Sequence, residues 1–258
     1  MKLFKTLLTI LFISLLSSLS WSVTLGDLMQ REGIFYKKLT DIPFSGEITG
    51  EEQGSIENGQ REGAWVSYHV NGQLSYKGNY KNGKTDGAWF RHWENGELYS
   101  KGIYKNGKKE GAWVGYYKNG QLSYKGNYKN GKTDGAWIRH WETGELYSKG
   151  NYKNDKEEGA WVGYYENGQL HWKHKYKNDQ REDVSVMYHD NGQLMVKSNY
   201  KNGLREGAFI FYHKNGQLAY KGNYKNGLQE GAWVGYYEDG SVWSMYTGTF
   251  KDGVKISD

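Results

Sequence analysis

Two rows of lysine run through this chain at a fixed interval, and they are the first side chains whose spacing suggests chemistry. Lys77, Lys101, Lys125, Lys149, Lys173, Lys197 and Lys221 form one row, and Lys81, Lys105, Lys129, Lys153, Lys177, Lys201 and Lys225 the other. Neighbours in a row are 24 residues apart. If each interval holds two strands about 4.8 Å apart, the ammonium groups repeat at roughly 10 Å. A ladder of that pitch suits an anionic polymer or lipid surface, and Lys77, Lys101, Lys125 and Lys149 are its first candidates. The competing reading is a β surface kept from aggregating by lysine. An acidic row at the same interval (Glu62, Asp86, Glu110, Asp134, Glu158, Glu182, Glu206, Glu230) is placed to neutralise part of the field.

Aromatic residues repeat in step. Trp65, Trp89, Trp113, Trp137, Trp161 and Trp233 hold one position, with Ser185 and Phe209 as exceptions. Such rings are either the core or a grip for sugar rings and apolar strips of a partner. Rings left exposed on the first strand of each unit, such as Tyr117, Trp141 and Tyr165, are the candidates for the second role. Most of the seven histidines occupy positions that hold Tyr or Trp in other units and read as aromatic substitutes. A metal site needs convergent ligands, and none is expected here. The acidic row repeats too evenly for catalysis, because a general acid and base need environments that separate their pKa values. Identical units make no unique pocket, so neither an enzyme nor a cofactor is expected.

The elements that position these rows are set by a Gly at 63, 87, 111, 135, 159, 207 and 231, with Asp183 in the remaining place. Eight units span residues 63–253. Each carries two β-prone runs, and nearly every unit has two Asn-Gly steps, such as Asn71-Gly72 and Asn82-Gly83, with Asn154-Asp155 and Asn178-Asp179 as later replacements. Asn-Gly is the favoured pair for a type I′ hairpin turn. Closing a two-residue turn at Asn71-Gly72 sets His69 opposite Leu74, Ser67 opposite Tyr76, Trp65 opposite Gly78 and Gly63 opposite Tyr80. The sequence leaves the length of the second connection open. A two-residue turn at Asn82-Gly83 sets Trp89 beside Tyr76. One face then carries rows of Trp, Tyr and Leu, with glycine making room for the rings. Units starting at 87 and 135 resemble each other, which points to duplication of a 48-residue pair. The last unit carries a two-residue insertion near Met245.

Aliphatic residues are scarce in the 258-residue chain, while Gly (36), Tyr (23) and Trp (11) abound, which suits a thin repetitive sheet better than a globular core. Lys2 and Lys5 precede the apolar run from Leu7 to Leu16, and Ser20-Trp21-Ser22 fits a small-x-small cleavage site. Residues 1–22 read as a secretory signal peptide, with an uncleaved membrane anchor as the alternative. Cysteine is absent, which excludes a lipid-anchored cysteine. Without Lys2 and Lys5 the net charge falls from +5 to +3, too mild to suggest nucleic acid. Residues 23–62 form a lead-in and cap, with Leu25 to Tyr36 as a short helix or irregular segment. Residues 254–258 form a tail.

The unit Asn106-Gly107-Lys108, Glu110-Gly111, Trp113, Tyr116, Asn119-Gly120-Gln121-Leu122, Gly126 and Tyr128 resembles the MORN (membrane occupation and recognition nexus) family in its bacterial variant form. The likeness covers about residues 55–253. It implies an all-β fold, an elongated single-layer antiparallel sheet of tandem hairpins. Bacterial relatives are often labelled YwqK-type antitoxins. Related arrays are secreted, and eukaryotic ones resemble scaffolds with proposed binding to acidic lipids. The expectation is therefore a secreted or periplasmic scaffold that binds a protein partner or an anionic envelope surface, with membrane contact peripheral at most. An antitoxin that neutralises a toxin protein and a cell-wall carbohydrate binder are the alternatives.

Overall fold

The computed structural model describes residues 22–258, so all of the expected signal peptide but Ser22 lies outside the described residues. The first full unit is the strand pair Gln60–Tyr68 and Leu74–Lys81, the next Lys84–His92 and Leu98–Lys105. The pattern continues to Leu228–Gly235, followed by Gly248–Lys251 and Val254–Ser257. Neighbouring strands pair antiparallel throughout, in one long sheet that begins at Gly46–Ile48. Among the described residues no register joins that first strand to Val254–Ser257, and the sheet is open. The only helical pieces described are 3-10 turns at Leu25–Asp27 and Ser244–Tyr246. No helix among these residues is long and apolar enough to cross a membrane.

Three of the four expected pairs are present: Ser67 with Tyr76, Trp65 with Gly78, and Gly63 with Tyr80. The fourth is not, because Tyr68 takes Leu74 and leaves Ser75 as an extra residue. The turn explains the slip. Gly72 N–H donates to His69 O at 2.8 Å and His69 N–H to Gln73 O at 2.7 Å. Gly72 has φ +82°, whereas Asn71 stays at negative φ and uses its Oδ1 to accept from Gln73 N–H. The connection is thus longer than a type I′ pair. The bulge moves Leu74 to the face of Tyr68, so leucine does not extend the ring rows. At the other connection both Asn82 (φ +50°) and Gly83 (φ +72°) are left-handed, and Lys81 pairs with Lys84 across a two-residue turn.

Trp89 pairs with Gly78 instead of Tyr76, because a second bulge at Gly87 (φ +98°) adds residues to its strand. The Gly that opens each unit therefore supplies a left-handed bulge; a Cβ on Gly63 or Gly111 would meet nothing within 4 Å. The Gly of the second strand does make room, though for the Trp of the following unit and not for the Trp65 that its own hairpin sets opposite. A Cβ on Gly78 would lie 2.0 Å from Trp89 Cε3, and one on Gly54 would lie 2.4 Å from Trp65 Cδ2. Each indole leans back over the glycine of the preceding hairpin.

The rings form the core. Trp65, Trp89, Trp113, Trp137, Trp161 and Trp233 are 1–7% exposed. Between them stand Tyr80, Tyr104, Tyr128 and Tyr152, edge-to-face at 5.0–6.1 Å, in an unbroken zigzag from Trp65 to Trp161. Such contacts add about 0.5–1.5 kcal/mol each beyond the area they bury. At the N-terminal end Leu28–Arg31 and Ile34–Lys37 form a hairpin, where the sequence suggested a short helix or irregular segment. Leu28, Phe35, Phe44, Ile48 and Ile56 close that end over Trp65. Phe250 covers Trp233 and Phe209 at the other.

Candidate functional site

Lys77, Lys101, Lys125 and Lys149 are exposed on the face away from the rings. Each pairs on both sides with an aliphatic or aromatic residue: Lys77 with Val66 and Phe90, Lys125 with Val114 and Ile138. The face is thus striped, one ammonium then one half-buried apolar side chain per strand. The second lysine row lies at the type I′ turns. There Lys81 faces Lys84, Lys105 faces Lys108, Lys129 faces Lys132 and Lys153 faces Lys156. Like charges directly across a ladder repel, yet four consecutive hairpins repeat them. In later hairpins the partner is Gln180, Leu204 or Leu228.

The acidic row has a structural task that its spacing did not reveal. Glu62, Asp86, Glu110, Glu158, Glu182 and Glu206 each accept the backbone N–H of the left-handed Asn one hairpin on, at 2.7–3.0 Å. These carboxylates close turns, and they sit beside the lysine pairs without forming ion pairs to them.

Tyr117, Trp141 and Tyr165 are half-buried and tied to the next unit. Tyr117 Oη donates to His140 O at 2.7 Å, Trp141 Nε1 to Tyr164 O at 3.3 Å, and Tyr165 Oη to Tyr188 O at 2.8 Å. His69, His189 and His213 bridge the same gap through Nε2 at 2.9–3.0 Å. The position is an inter-repeat brace filled by any ring with a polar edge. The expected full exposure of its Tyr and Trp members is not found.

Sequence reasoning passed over a third set of cations, on the ring face. Arg61 lies 4.3 Å above Trp65 and pairs with Glu52 at 2.6 Å. Lys109 Nζ lies 4.4 Å from the Trp113 ring and 4.8 Å from Tyr128. Arg139 donates to Tyr152 Oη at 2.7 Å, and Arg205 sits 4.8 Å above Phe209. Burial raises the phenol of Tyr128 beside Lys109, and that of Tyr124 on the same face to about 12. For Arg61, Lys109 and Arg205 the signal was in the sequence: position 61 and its 24-residue equivalents alternate faces with the acidic row. Near the N-terminal end a cavity of about 780 Å³ is lined by Arg61, Trp89, Arg91, Trp93, Tyr99 and Lys118 among others. Among the described residues no three His, Asp or Glu side chains converge as a metal site would require.

The model of the MORN repeat variant family matches seven tandem stretches, residues 61–82, 85–106, 109–130, 133–154, 157–178, 184–202 and 205–226, more than half of the chain. The chain belongs to that family. No curated protein matches it. Each matched MORN repeat begins within the first strand and ends at the Asn of the type I′ turn. The strands Leu228–Gly235 and Gly248–Lys251 continue the ladder past the last match.

Departures from the MORN pattern come in compensating pairs. His174 holds the place of the second-strand Gly and Ser185 that of the Trp, so the large and small side chains have exchanged strands. Phe209 replaces Trp where Ser198 replaces Gly, and the smaller ring leaves space for the serine Cβ. Asp183 takes the bulge position and keeps φ at +59°.

Proposed function

We propose that this MORN-variant array is a non-enzymatic scaffold, exported to the cell envelope, that docks on an anionic polymer or lipid surface through its lysine-bearing side. The observation that carries this reading is the repeated Lys–Lys pairing at the turns, from Lys81/Lys84 to Lys153/Lys156. A cross-strand pair of like charges costs stability, and a soluble β surface needs only scattered lysine. Eight lysines along one edge of four hairpins instead match a surface whose charge offsets their repulsion. The striped row from Lys77 to Lys149 adds apolar side chains between the ammonium groups, which suits an interface with both headgroups and alkyl carbon.

Co-sedimentation with vesicles tests the proposal. Vesicles rich in anionic lipid should retain the protein, zwitterionic vesicles should not, and high salt should release it. Serine at 84, 108, 132 and 156 should weaken retention while leaving the fold intact. Equal retention on neutral vesicles, or a single protein captured from envelope extracts with no charge dependence, would replace this reading with a protein-partner scaffold. An antitoxin role would require a toxin that co-purifies with the chain.

A further inference from the structure

The type I′ turns along one edge of the sheet are linked by the side chains that leave them. A Cβ added to Gly83 would lie 3.6 Å from Gln60 Cβ, one on Gly107 3.8 Å from Lys84 Cβ, and one on Gly131 3.5 Å from Lys108 Cβ. The stem leaving one turn thus lies over the glycine of the next. Two recesses open between these turns, of about 380 Å³ and about 660 Å³. Lys108 and Asn130 line both, so the recesses form one trough. It runs past the turns at 81–84, 105–108, 129–132 and 153–156. From the first of these turns to the fourth is three steps of two strands each, roughly 30 Å.

Six lysines and three carboxylates line the trough, and only the carboxylates already have a task. Glu110, Asp134 and Glu158 accept the N–H of Asn130, Asn154 and Asn178 at 2.8–3.3 Å. Among the described residues no trough lysine has a carboxylate within 4 Å. Both ends of the trough are marked by a change of residue. Gln60 stands one hairpin before Lys84 in the same position, and Gln180 one hairpin after Lys156. Asp155 and Asp179 take the turn-glycine position at the C-terminal end and add negative charge there. The cationic trough is therefore bounded in length, whereas the lysine row on the broad face runs on to Lys221.

We infer that this trough binds a single linear chain of phosphate groups, laid along the turns with its oxyanions between successive lysines. The inference rests on the docking side proposed above and names its ligand, a polymer strand in place of a lipid plane. A planar array of headgroups meets only the protruding turn tips, whereas a recess between turns admits a strand. Lysine meets phosphate as a point charge without a fixed geometry, which suits a chain with rotatable links. The lining holds no arginine, whose fork would fix a planar carboxylate. A nucleic acid carries bases that need ring platforms, and Tyr152 is the one ring in the lining.

Calorimetric titration of the full chain with linear inorganic polyphosphates of graded length tests it. Affinity should rise with length until the chain covers the roughly 30 Å trough, then level off at one chain per protein. Lys84→Ser, Lys108→Ser and Lys132→Ser together should lower affinity for the long chain at least about tenfold. Their melting temperature should be no lower than that of the native chain, because facing like charges are removed. Lys77→Ser, Lys101→Ser and Lys125→Ser, on the broad face, should change affinity less than about twofold. Asp155→Gly, Asp179→Gly and Gln180→Lys together extend the trough by one hairpin. The levelling-off should then move to a longer chain, a gain that damage to the fold cannot imitate. Affinity that does not grow beyond triphosphate overturns the inference, as does an equal loss in the two triple-serine variants. So does tighter binding of oligothymidylate or of a heparin oligosaccharide of matched charge. Retention on anionic vesicles without binding of any soluble chain also overturns it and leaves the docking side standing, whereas failure of both assays removes both.

Discussion

His174 Nδ1 and Ser185 Oγ are 2.7 Å apart in the buried stripe, in the two positions that Gly and Trp fill elsewhere in the array. The histidine ring stacks on Trp172 at 4.6 Å and 7°, covering the ground that the missing indole would cover. The pair conserves volume by exchange: small and large have swapped strands, and the hydrogen bond satisfies the serine hydroxyl and one imidazole nitrogen. Either partner changed alone should be costly. Ser185→Trp alone drives an indole into the imidazole, at about 1–3 kcal/mol. His174→Gly alone empties the site, at roughly 2–4 kcal/mol. Changed together they restore the pattern of the other units, and denaturant unfolding should show a coupling of about 2 kcal/mol or more. Strict additivity of the two changes would refute the exchange.

The same histidine makes stability depend on pH. Burial pushes its imidazole down to about 4, against about 6.5 in an unfolded chain. The unfolded state therefore takes up this proton first. The stabilisation is complete above about pH 6.5 and is lost as pH falls toward about 4. Melting temperature should decline more steeply across that window in the native chain than in the His174→Gly, Ser185→Trp protein. Parallel curves for the two proteins would show that the imidazole does not titrate as its burial requires.

Gly126 makes the complementary case. A Cβ there would lie 1.8 Å from Trp137 Cε3. Gly126→Ser should cost about 2–4 kcal/mol through overpacking. Trp137→Phe should recover part of that loss in the double variant, because Ser198 and Phe209 already coexist in the same geometry. Urea midpoints of the two single variants and the double variant decide it, and a double variant less stable than both singles would contradict the packing described.

These pairs mark where the sequence was readable and where it was not. The 24-residue step, the two strands per unit and the opposition of Trp65 to Gly78 follow from the order of glycine, asparagine and rings alone. What escaped was the extra residue at Ser75 and the bulge at Gly87. Both depend on which residue turns left-handed, and Asn-Gly looks identical at a type I′ turn and at the longer one. The ring-face cations were hidden for a related reason. Arg61, Lys109 and Glu157 share a position, each 48 residues from the last, but not a residue type, so a search for constant rows passes over them.

Asp183 tests the role of the first glycine of each unit. It is the one such position without glycine, it holds φ at +59°, and its strand breaks between Gln180–Arg181 and Asp183–Tyr188. Asp183→Gly should stabilise the chain by about 0.5–1 kcal/mol through relief of the left-handed strain. The exposed ion pair with Lys175 that it gives up contributes little. Hydrogen exchange should also slow at the amides of 183–186 as the ladder becomes continuous. A loss of stability would mean that the carboxylate, and not the backbone angle, governs this position.

Tyr117 separates bracing from binding on the same side chain. Its hydroxyl closes the step to the next unit through His140 O, and Tyr165 does the same through Tyr188 O. Tyr117→Phe keeps the ring and removes only that donor, leaving the half-buried carbonyl short of a partner. The expected cost is about 1 kcal/mol, seen as a lower melting temperature. Tyr117→His should recover most of it, since His69, His189 and His213 already bridge the equivalent step. If this ring instead contacted a wall glycan, Tyr117→Phe would keep its melting temperature while retention on glycan arrays fell, and Tyr117→His would not restore that retention. The hydrogen bond already present predicts the opposite order of effects.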